Sequence, residues 1–367
     1  MGGSLVIPVT VISEAFGGIS SYTQYLLNEL NSDNLIKTNA IWLHNSQIKL
    51  EGNILQTFIQ NGTILNLSSP NQFYHPLRRA LLESSSDIIH FQYDTSFFPS
   101  HDTFLRLLAE FSSKCERKIV VTLHSVNIDS HSIQFLKNAA ELVDRYIVHQ
   151  SNAKTFLISE GVDSTKIVVI PHGTPVIKSL PKEMGFFKTD LFKIALTGFL
   201  KTIKAFDKAL SSIINSKDLE IILAGMVKDT EAIRLINNLR RNGEAPFTLI
   251  LRFLHPPELF ALIAAADCII LPYQQDYYSS SGILHLAASL HKPVLVSSSP
   301  KFKEITSRIP LCEVTDLNYL KAIQTIRDTA VINRITKKMA QFAKETSWPA
   351  IAEKTIELYK ELAELPR

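Results

Sequence analysis

Cysteine is scarce in this 367-residue chain, and net charge is nearly absent. Cys115, Cys268 and Cys312 are scattered and form no CxxC or Cys/His ligand spacing. This excludes a disulfide framework and fits a protein kept in a reducing cytosol. A formal charge of +3 removes the electrostatic reason to expect nucleic acid as a partner. No stretch reaches the roughly 18 uncharged apolar residues of a membrane-spanning helix. The opening MGGSLVIPVTVIS has no basic leading segment, so its short apolar run reads as a first β-strand rather than a signal peptide. The histidines fall in no HExxH or similar pattern, so no metal and no cofactor are expected. Paired carboxylates at glycosidase spacing are also missing, as are repeats and low-complexity tracts.

What is present is apolar and regularly punctuated. Hydrophobic residues make up 46% and charged residues 20%, the balance of a soluble protein with substantial cores. The length suits two α/β domains rather than one. Short β-rich runs are expected at Leu5–Ile12, Ala40–His44, Ile64–Leu67, Asp87–Gln92, Lys118–Leu123, Arg145–His149 and Ile167–Ile170. After a polar interval they resume at Lys193–Gly198, Glu220–Ala224, Phe247–Leu251, Cys268–Leu271 and Pro293–Val296. Such continuous apolar runs suit parallel strands buried on both faces.

Between the runs lie segments of helical period, such as Phe104, Leu107, Leu108, Phe111 and Leu259, Leu262, Ile263, Ala266. Strand and helix in alternation predict a doubly wound α/β fold. The Pro-, Gly- and charge-containing stretch Lys178–Asp190 is the expected linker. It separates a Rossmann-like first domain, 1–177, from a second, 191–345. The closing segment, 346–367, starts a helix near Ser347 with Trp348, Ile351, Ile356, Tyr359 and Leu362 on one stripe.

Several strand ends carry chemistry. Gly17 and Gly18 follow the first strand and open a helix, letting backbone and helix N-terminus approach an anion. His124 directly follows the strand Ile119–Leu123, where side chains of open α/β sheets point into the ligand crevice. It is a candidate donor to a sugar hydroxyl or leaving oxygen. His90-Phe-Gln-Tyr-Asp94 ends another strand. His172, in Pro-His-Gly, reads as a structural hinge residue. Lys201 and Lys204 stand in the loop after the first strand of the second half, the natural place for a diphosphate. Asp276-Tyr-Tyr-Ser-Ser-Ser-Gly-Ile-Leu284 ends in small residues at a helix start, a second anion-type junction. Pro76-Leu-Arg-Arg79 and Leu239-Arg-Arg-Asn-Gly243 are basic pieces, read as solvated surface, that leave peripheral contact with anionic lipid open.

With these motifs in view, the sequence resembles glycosyltransferase family 4, the retaining GT-B enzymes that use nucleotide-activated sugars. The resemblance runs through GGISSY, VVTLHSV, DRYIVHQSNAKTFLISEGVDSTKIVVIPHG, GFLKTIKAF, ELFALIAAADCIILPY, SSSGILHLAASLHKPVLVSS and SWPAIAEKTIELY. It implies two Rossmann-like domains facing a central cleft, with the Trp348 helix crossing back onto the first. It also implies that Gly17 and Gly18 face the donor diphosphate and acceptor and that His124 contacts the transferred sugar. Lys204 then binds phosphate, and Ser281, Gly282 and Ile283 offer backbone N–H groups to the distal phosphate.

The chain departs from the family at three places. Phe199 stands where the family has an Arg, with Lys201 nearby as a substitute. Tyr278 and Leu286 stand where it has a pair of glutamates, leaving Asp276 and His285 as neighbours able to contact sugar or nucleotide. The expected activity is transfer of a hexose from a nucleoside diphosphate sugar to a hydroxyl acceptor. A phosphorylase or epimerase using the same anion site is one rival. A non-catalytic GT-B subunit that binds a partner glycosyltransferase or glycan is the other.

Overall fold

The computed structural model describes residues 6–45, 62–69, 72–95, 97–98, 100–180, 182–241, 243–274 and 277–365. The chain divides into two compact units. One comprises Met1–Gly173, Tyr277–Ser280 and Trp348–Arg367; the other comprises Thr174–Asp276 and Ser281–Ser347.

In the first unit the strands are β1 (Ile7–Glu14), β2 (Ile36–Asn45), β3 (Thr63–Leu67), β4 (Ile88–Tyr93), β5 (Lys118–Leu123), β6 (Ser125–Val126), β7 (Arg145–Val148) and β8 (Ile167–Val169). All but β6 join one 7-stranded parallel sheet in the order β3-β2-β1-β4-β5-β7-β8. Side chains alternate between its two faces. Val9, Val11, Ile88 and Val120 enter one core; Ile12, Ile89, Phe91, Ile119 and Val121 enter the other. The first core is closed by helix Gly18–Leu30, through Tyr22, Leu26, Leu27 and Leu30, and by helix Trp348–Glu364. The expected stripe of Trp348, Ile351, Ile356, Tyr359 and Leu362 is buried there. At about 1.5–3 kcal/mol for each large apolar side chain, burial outweighs the weak intrinsic propensity of the helix. Helix His101–Ala109 closes the second core with Phe104, Leu107 and Leu108, capped by Ser100, whose Oγ accepts from the Thr103 amide at 3.3 Å.

The second unit contains β9 (Phe192–Thr197), β10 (Leu219–Ala224), β11 (Phe247–Ile250), β12 (Cys268–Leu271), β14 (Val294–Ser297) and β15 (Glu313–Val314). They form a parallel 6-stranded sheet, β11-β10-β9-β12-β14-β15, over a single large core. Between β12 and β14 the chain supplies β13 (Tyr278–Ser279), which belongs to the first unit and pairs antiparallel with β6. The strands expected from sequence are all found within two residues at either end, except that β2 begins earlier, at Ile36. β6, β13 and β15 are additions; at two residues each, none is long enough to leave a periodic signal.

Both sheets reverse strand order once near their middle, between β1 and β4 and between β9 and β12. In open α/β sheets ligands bind beyond the carboxyl ends of the strands at such switch points.

Candidate functional site

At the first switch point, β1 ends at Glu14 and the chain turns through Gly17 into helix Gly18–Leu30. Gly17 has φ 131°, a conformation that side chains rarely adopt, so the tight entry requires glycine here. A Cβ on Gly18 would meet nothing within 4 Å, so its face is open. The first-turn amides of this helix have no intrahelical acceptor, as anion binding needs.

Across the sheet lies a chain of buried polar groups. His90 Nδ1 donates to Tyr359 Oη at 2.6 Å, and His90 Nε2 accepts from the Gln92 amide at 3.2 Å and lies 2.7 Å from Thr122 Oγ1. Gln92 Oε1 in turn accepts from His124 Nε2 at 2.8 Å. His124 Nδ1 and His149 Nε2 face each other at 3.5 Å, and His149 Nδ1 donates to the Ile170 carbonyl at 3.0 Å. Burial lowers the His90 pKa to about 3; burial, then His149 and His90, hold that of His124 well below the ordinary range. Both rings are therefore neutral at pH 7. Tyr22 packs its ring against His124, His149, His172 and Trp348, with centroids 4.8, 5.2, 5.1 and 4.8 Å away. His172 thus belongs to an aromatic cluster, while its Nδ1 lies 2.8 Å from the Gly173 carbonyl.

In the second unit, the Gly198–Lys204 loop is pinned from behind. Leu200 N donates to the Met226 carbonyl at 2.9 Å, Lys228 N to the Leu200 carbonyl at 3.0 Å, and Thr202 N to Asp229 Oδ2 at 3.0 Å. Gly225 permits this approach, since a Cβ there would lie 1.8 Å from the Gly198 oxygen. Gly198 itself has φ 129°. The loop delivers Lys204 half-buried, its Nζ 3.7 Å from the centroid of the Tyr273 ring at the end of β12. Burial, then Lys301 and Lys201, destabilise its ammonium and hold its pKa well below the ordinary lysine range. A bound anion would reverse that penalty. Lys201 is exposed. Phe199 lies under Lys228, whose Nζ is 5.4 Å from its ring centroid.

The segment around helix Gly282–Ser289 is divided. Ser281 is its N-cap, with Oγ accepting from the Leu284 amide at 3.4 Å, which leaves the Gly282 and Ile283 amides without intrahelical acceptors. Ser279, expected to join this anion junction, is instead held in the first unit. Its strand pairs with Ser125–Val126, and its carbonyl accepts from Gln150 Nε2 at 2.9 Å. Tyr278 packs on Phe156 with ring centroids 5.0 Å apart. His285 is fully buried inside the second unit, with Nδ1 2.7 Å from Thr174 Oγ1 and Nε2 3.3 Å from Glu304 Oε1. It meets Glu304 rather than an open surface. Asp276 lies outside the described residues.

Sequence reasoning touched Tyr273 and Gln92 only as members of strand-end segments and missed Lys301 and Asp229. Tyr273 had a signal, as the last residue of the ILPY strand end; the others are ordinary polar residues until the fold places them. Among the described residues, no three His, Cys, Asp or Glu side chains gather as a metal site, and no helix is long and apolar enough to cross a membrane. Of the basic pieces, Arg78 is tied to Glu110 at 2.6 Å.

Residues 16–176 match the model of Glycosyltransferase Family 4. The curated proteins include no match in sequence. Among solved structures, sucrose-phosphate synthase from Thermosynechococcus elongatus is similar at 16% identity and a TM-score of 0.74, covering 97% of this chain and 99% of that one. Anabaena HepE in complex with UDP and glucose is similar at 14% identity and a TM-score of 0.72, covering 98% and 100%. Trehalose-6-phosphate from E. coli bound with UDP-2-fluoro glucose is similar at 12% identity and a TM-score of 0.72, covering 98% of this chain and 100% of that one. Residues 16–176 are thus similar to Glycosyltransferase Family 4, and the solved structures show the fold of the chain to be GT-B, with two Rossmann-like domains.

Proposed function

We propose that the chain transfers a hexose from a nucleoside diphosphate sugar to a hydroxyl acceptor on a glycan, a lipid or a small molecule. The observation that carries this reading is Lys204, half-buried over Tyr273 at the β9/β12 switch point with its charge unfavourably placed. Such a group gains most when a diphosphate arrives. The UDP and glucose held by HepE, and the UDP-2-fluoro glucose held by the Escherichia coli protein, make uridine nucleotides the first probes.

In the reaction, the bond between the sugar's anomeric carbon and the diphosphate oxygen breaks. The acceptor oxygen bonds to that carbon and gives up its proton. Negative charge grows on the departing diphosphate, where Lys204, Lys201 and the Ser281–Ile283 amides stabilise it. In the first unit, Gly17 and Gly18 leave a helix N-terminus open to an anion, and His124 offers a neutral imidazole oriented by Gln92. Retention of anomeric configuration is proposed from the family.

The test is thermal-shift screening against UDP, GDP, ADP, TDP and their sugars, since a ligand that binds only the folded state raises Tm. A selective shift that disappears in Lys204→Ala supports the donor site; no shift at millimolar ligand overturns it. The second reading, a non-catalytic subunit, is favoured by one observation: Tyr278, at the position of a family glutamate, packs on Phe156. Absence of any nucleotide shift, with a glycosyltransferase recovered in a pull-down, supports that alternative.

A further inference from the structure

One face of the first sheet changes character toward its carboxyl edge. Ile88 on β4 and Val120 on β5 are apolar and buried there. Two residues further along the same strands stand His90 and Thr122, and two further again Gln92 and His124, with Gln92 in register beside Thr122. His90, Gln92 and Thr122 are buried, and the row ends at half-buried His124. Burying such groups costs free energy unless each is hydrogen-bonded, and apolar residues of similar shape would hold the sheet as well. The row therefore serves something other than stability.

Its hydrogen bonds fix where each hydrogen sits. Gln92 Oε1 can only accept, so His124 Nε2, 2.8 Å away, carries a hydrogen. The Gln92 amide nitrogen can only donate, so His90 Nε2, 3.2 Å away, offers its lone pair. His90 Nδ1 then bears the hydrogen that goes to Tyr359 Oη at 2.6 Å. His90 thus grips the amide end of Gln92 and stops it from turning over. A neutral imidazole has one N–H, and that of His124 is spent on Gln92. Its Nδ1, on the side of His149, carries a lone pair.

We propose that Gln92 is a positioning residue for sugar transfer, holding His124 as the Nε2–H tautomer so that the ring has no N–H to give to a sugar hydroxyl or to the departing oxygen. The inference rests on the donor-site reading above, with His124 beside the transferred sugar. It reverses the role expected from sequence, since the ring can take a hydrogen bond but not give one. His124 is then no general acid, and charge on the departing diphosphate is left to the lysine and the backbone amides of the second unit.

The experiment joins a spectrum to kinetics on the full chain. Nitrogen NMR with isotope-labelled histidine compares the wild type, Gln92→Met and His124→Gln, the last identifying the His124 signals. At neutral pH the wild type is expected to carry the His124 hydrogen on Nε2, and Gln92→Met to shift it wholly or partly to Nδ1. A wild-type hydrogen on Nδ1, or a tautomer unmoved in Gln92→Met, overturns the proposal and leaves the donor site standing. The kinetic arm follows release of nucleoside diphosphate from whichever sugar donor the wild type hydrolyses. Gln92→Met should lower kcat about tenfold while the Kd of the free nucleoside diphosphate stays within about threefold, because the diphosphate does not meet His124. In a His124→Gln background, Gln92→Met should cost less than about twofold more, as expected of residues that act as a unit. A full further loss in that background, or weakened binding of the nucleoside diphosphate, marks a general structural effect and overturns the positioning role. If the wild type neither binds nor hydrolyses any donor, the donor-site reading falls and the role of Gln92 in transfer falls with it, even with the tautomer as expected. Should Gln92→Met not fold, Gln92→Leu replaces it with the same expected pattern.

Discussion

His90 on β4 and Tyr359 on helix Trp348–Glu364 are joined by a 2.6 Å hydrogen bond, Nδ1 to Oη, between two fully buried side chains. They are 269 positions apart in sequence, and the bond fixes the closing helix to the strand that also carries Gln92. Through Gln92 it reaches His124. Tyr359→Phe leaves the His90 N–H buried without its acceptor, at a cost of about 1–3 kcal/mol. The midpoint of urea unfolding is expected to fall with the m-value unchanged. An unchanged midpoint would mean that the helix is held by its apolar stripe alone.

The same network predicts acid sensitivity. His90 has a folded-state pKa of about 3 against an ordinary 6.5, and His124 is shifted the same way. Below pH 6.5 the unfolded chain therefore binds protons that the folded chain refuses, and stability falls as pH falls. Each histidine contributes at most about 1.4 kcal/mol per pH unit. The clean window is pH 6.5 to 5, above the range of the carboxylates with lowered pKa values, such as Glu110 and Glu258. Urea unfolding across this window should show a positive slope of stability against pH, reduced in His90→Gln. A flat profile would contradict neutral buried rings.

Gly173 tests how tightly Trp348 is seated. A Cβ at this position would lie 2.2 Å from the indole ring, and the ring is itself fixed between Tyr22 and Tyr25. Gly173→Ala should cost about 1–3 kcal/mol by overpacking. A melting temperature equal to wild type would show that the helix start can shift freely.

Lys204 predicts a trade between stability and binding. Removing a half-buried ammonium near other lysines should raise the Tm of the unliganded protein in Lys204→Met while abolishing the nucleotide-induced shift. The pH dependence carries the same sign. A lysine with a depressed folded pKa loses its proton more readily when folded, so wild-type stability should climb as pH rises toward 10.5. Lys204→Met should climb less between pH 8 and 10. A lower Tm in the variant would mean that the cation contact with Tyr273 outweighs the burial penalty.

Strands and fold class were legible because parallel strands buried on both faces leave short apolar runs, as in Ile221–Ala224 and Cys268–Leu271. The stripe from Trp348 to Leu362 was legible for a different reason, apolar residues recurring at helical spacing on one face. Contacts remote in sequence were not legible. Lys301 follows an ordinary strand, and it comes within 5.9 Å of the Tyr273 ring centroid only because β14 lies beside β12. Ser279 reads as part of a helix cap until β6, two residues long, pairs with it. His285 reads as a helix residue near a ligand, and packing instead closes it between Thr174 and Glu304. Pairing and burial across the chain decide such roles, and local pattern does not record them.

The central claim is that the second unit binds a sugar donor through its diphosphate. Its most direct test is release of nucleoside diphosphate from UDP-, GDP-, ADP- and TDP-hexoses, with water standing in for the acceptor. The account predicts slow release from one donor class by the wild type and none by Lys204→Met. No release from any donor, together with no binding of any nucleoside diphosphate, would contradict it.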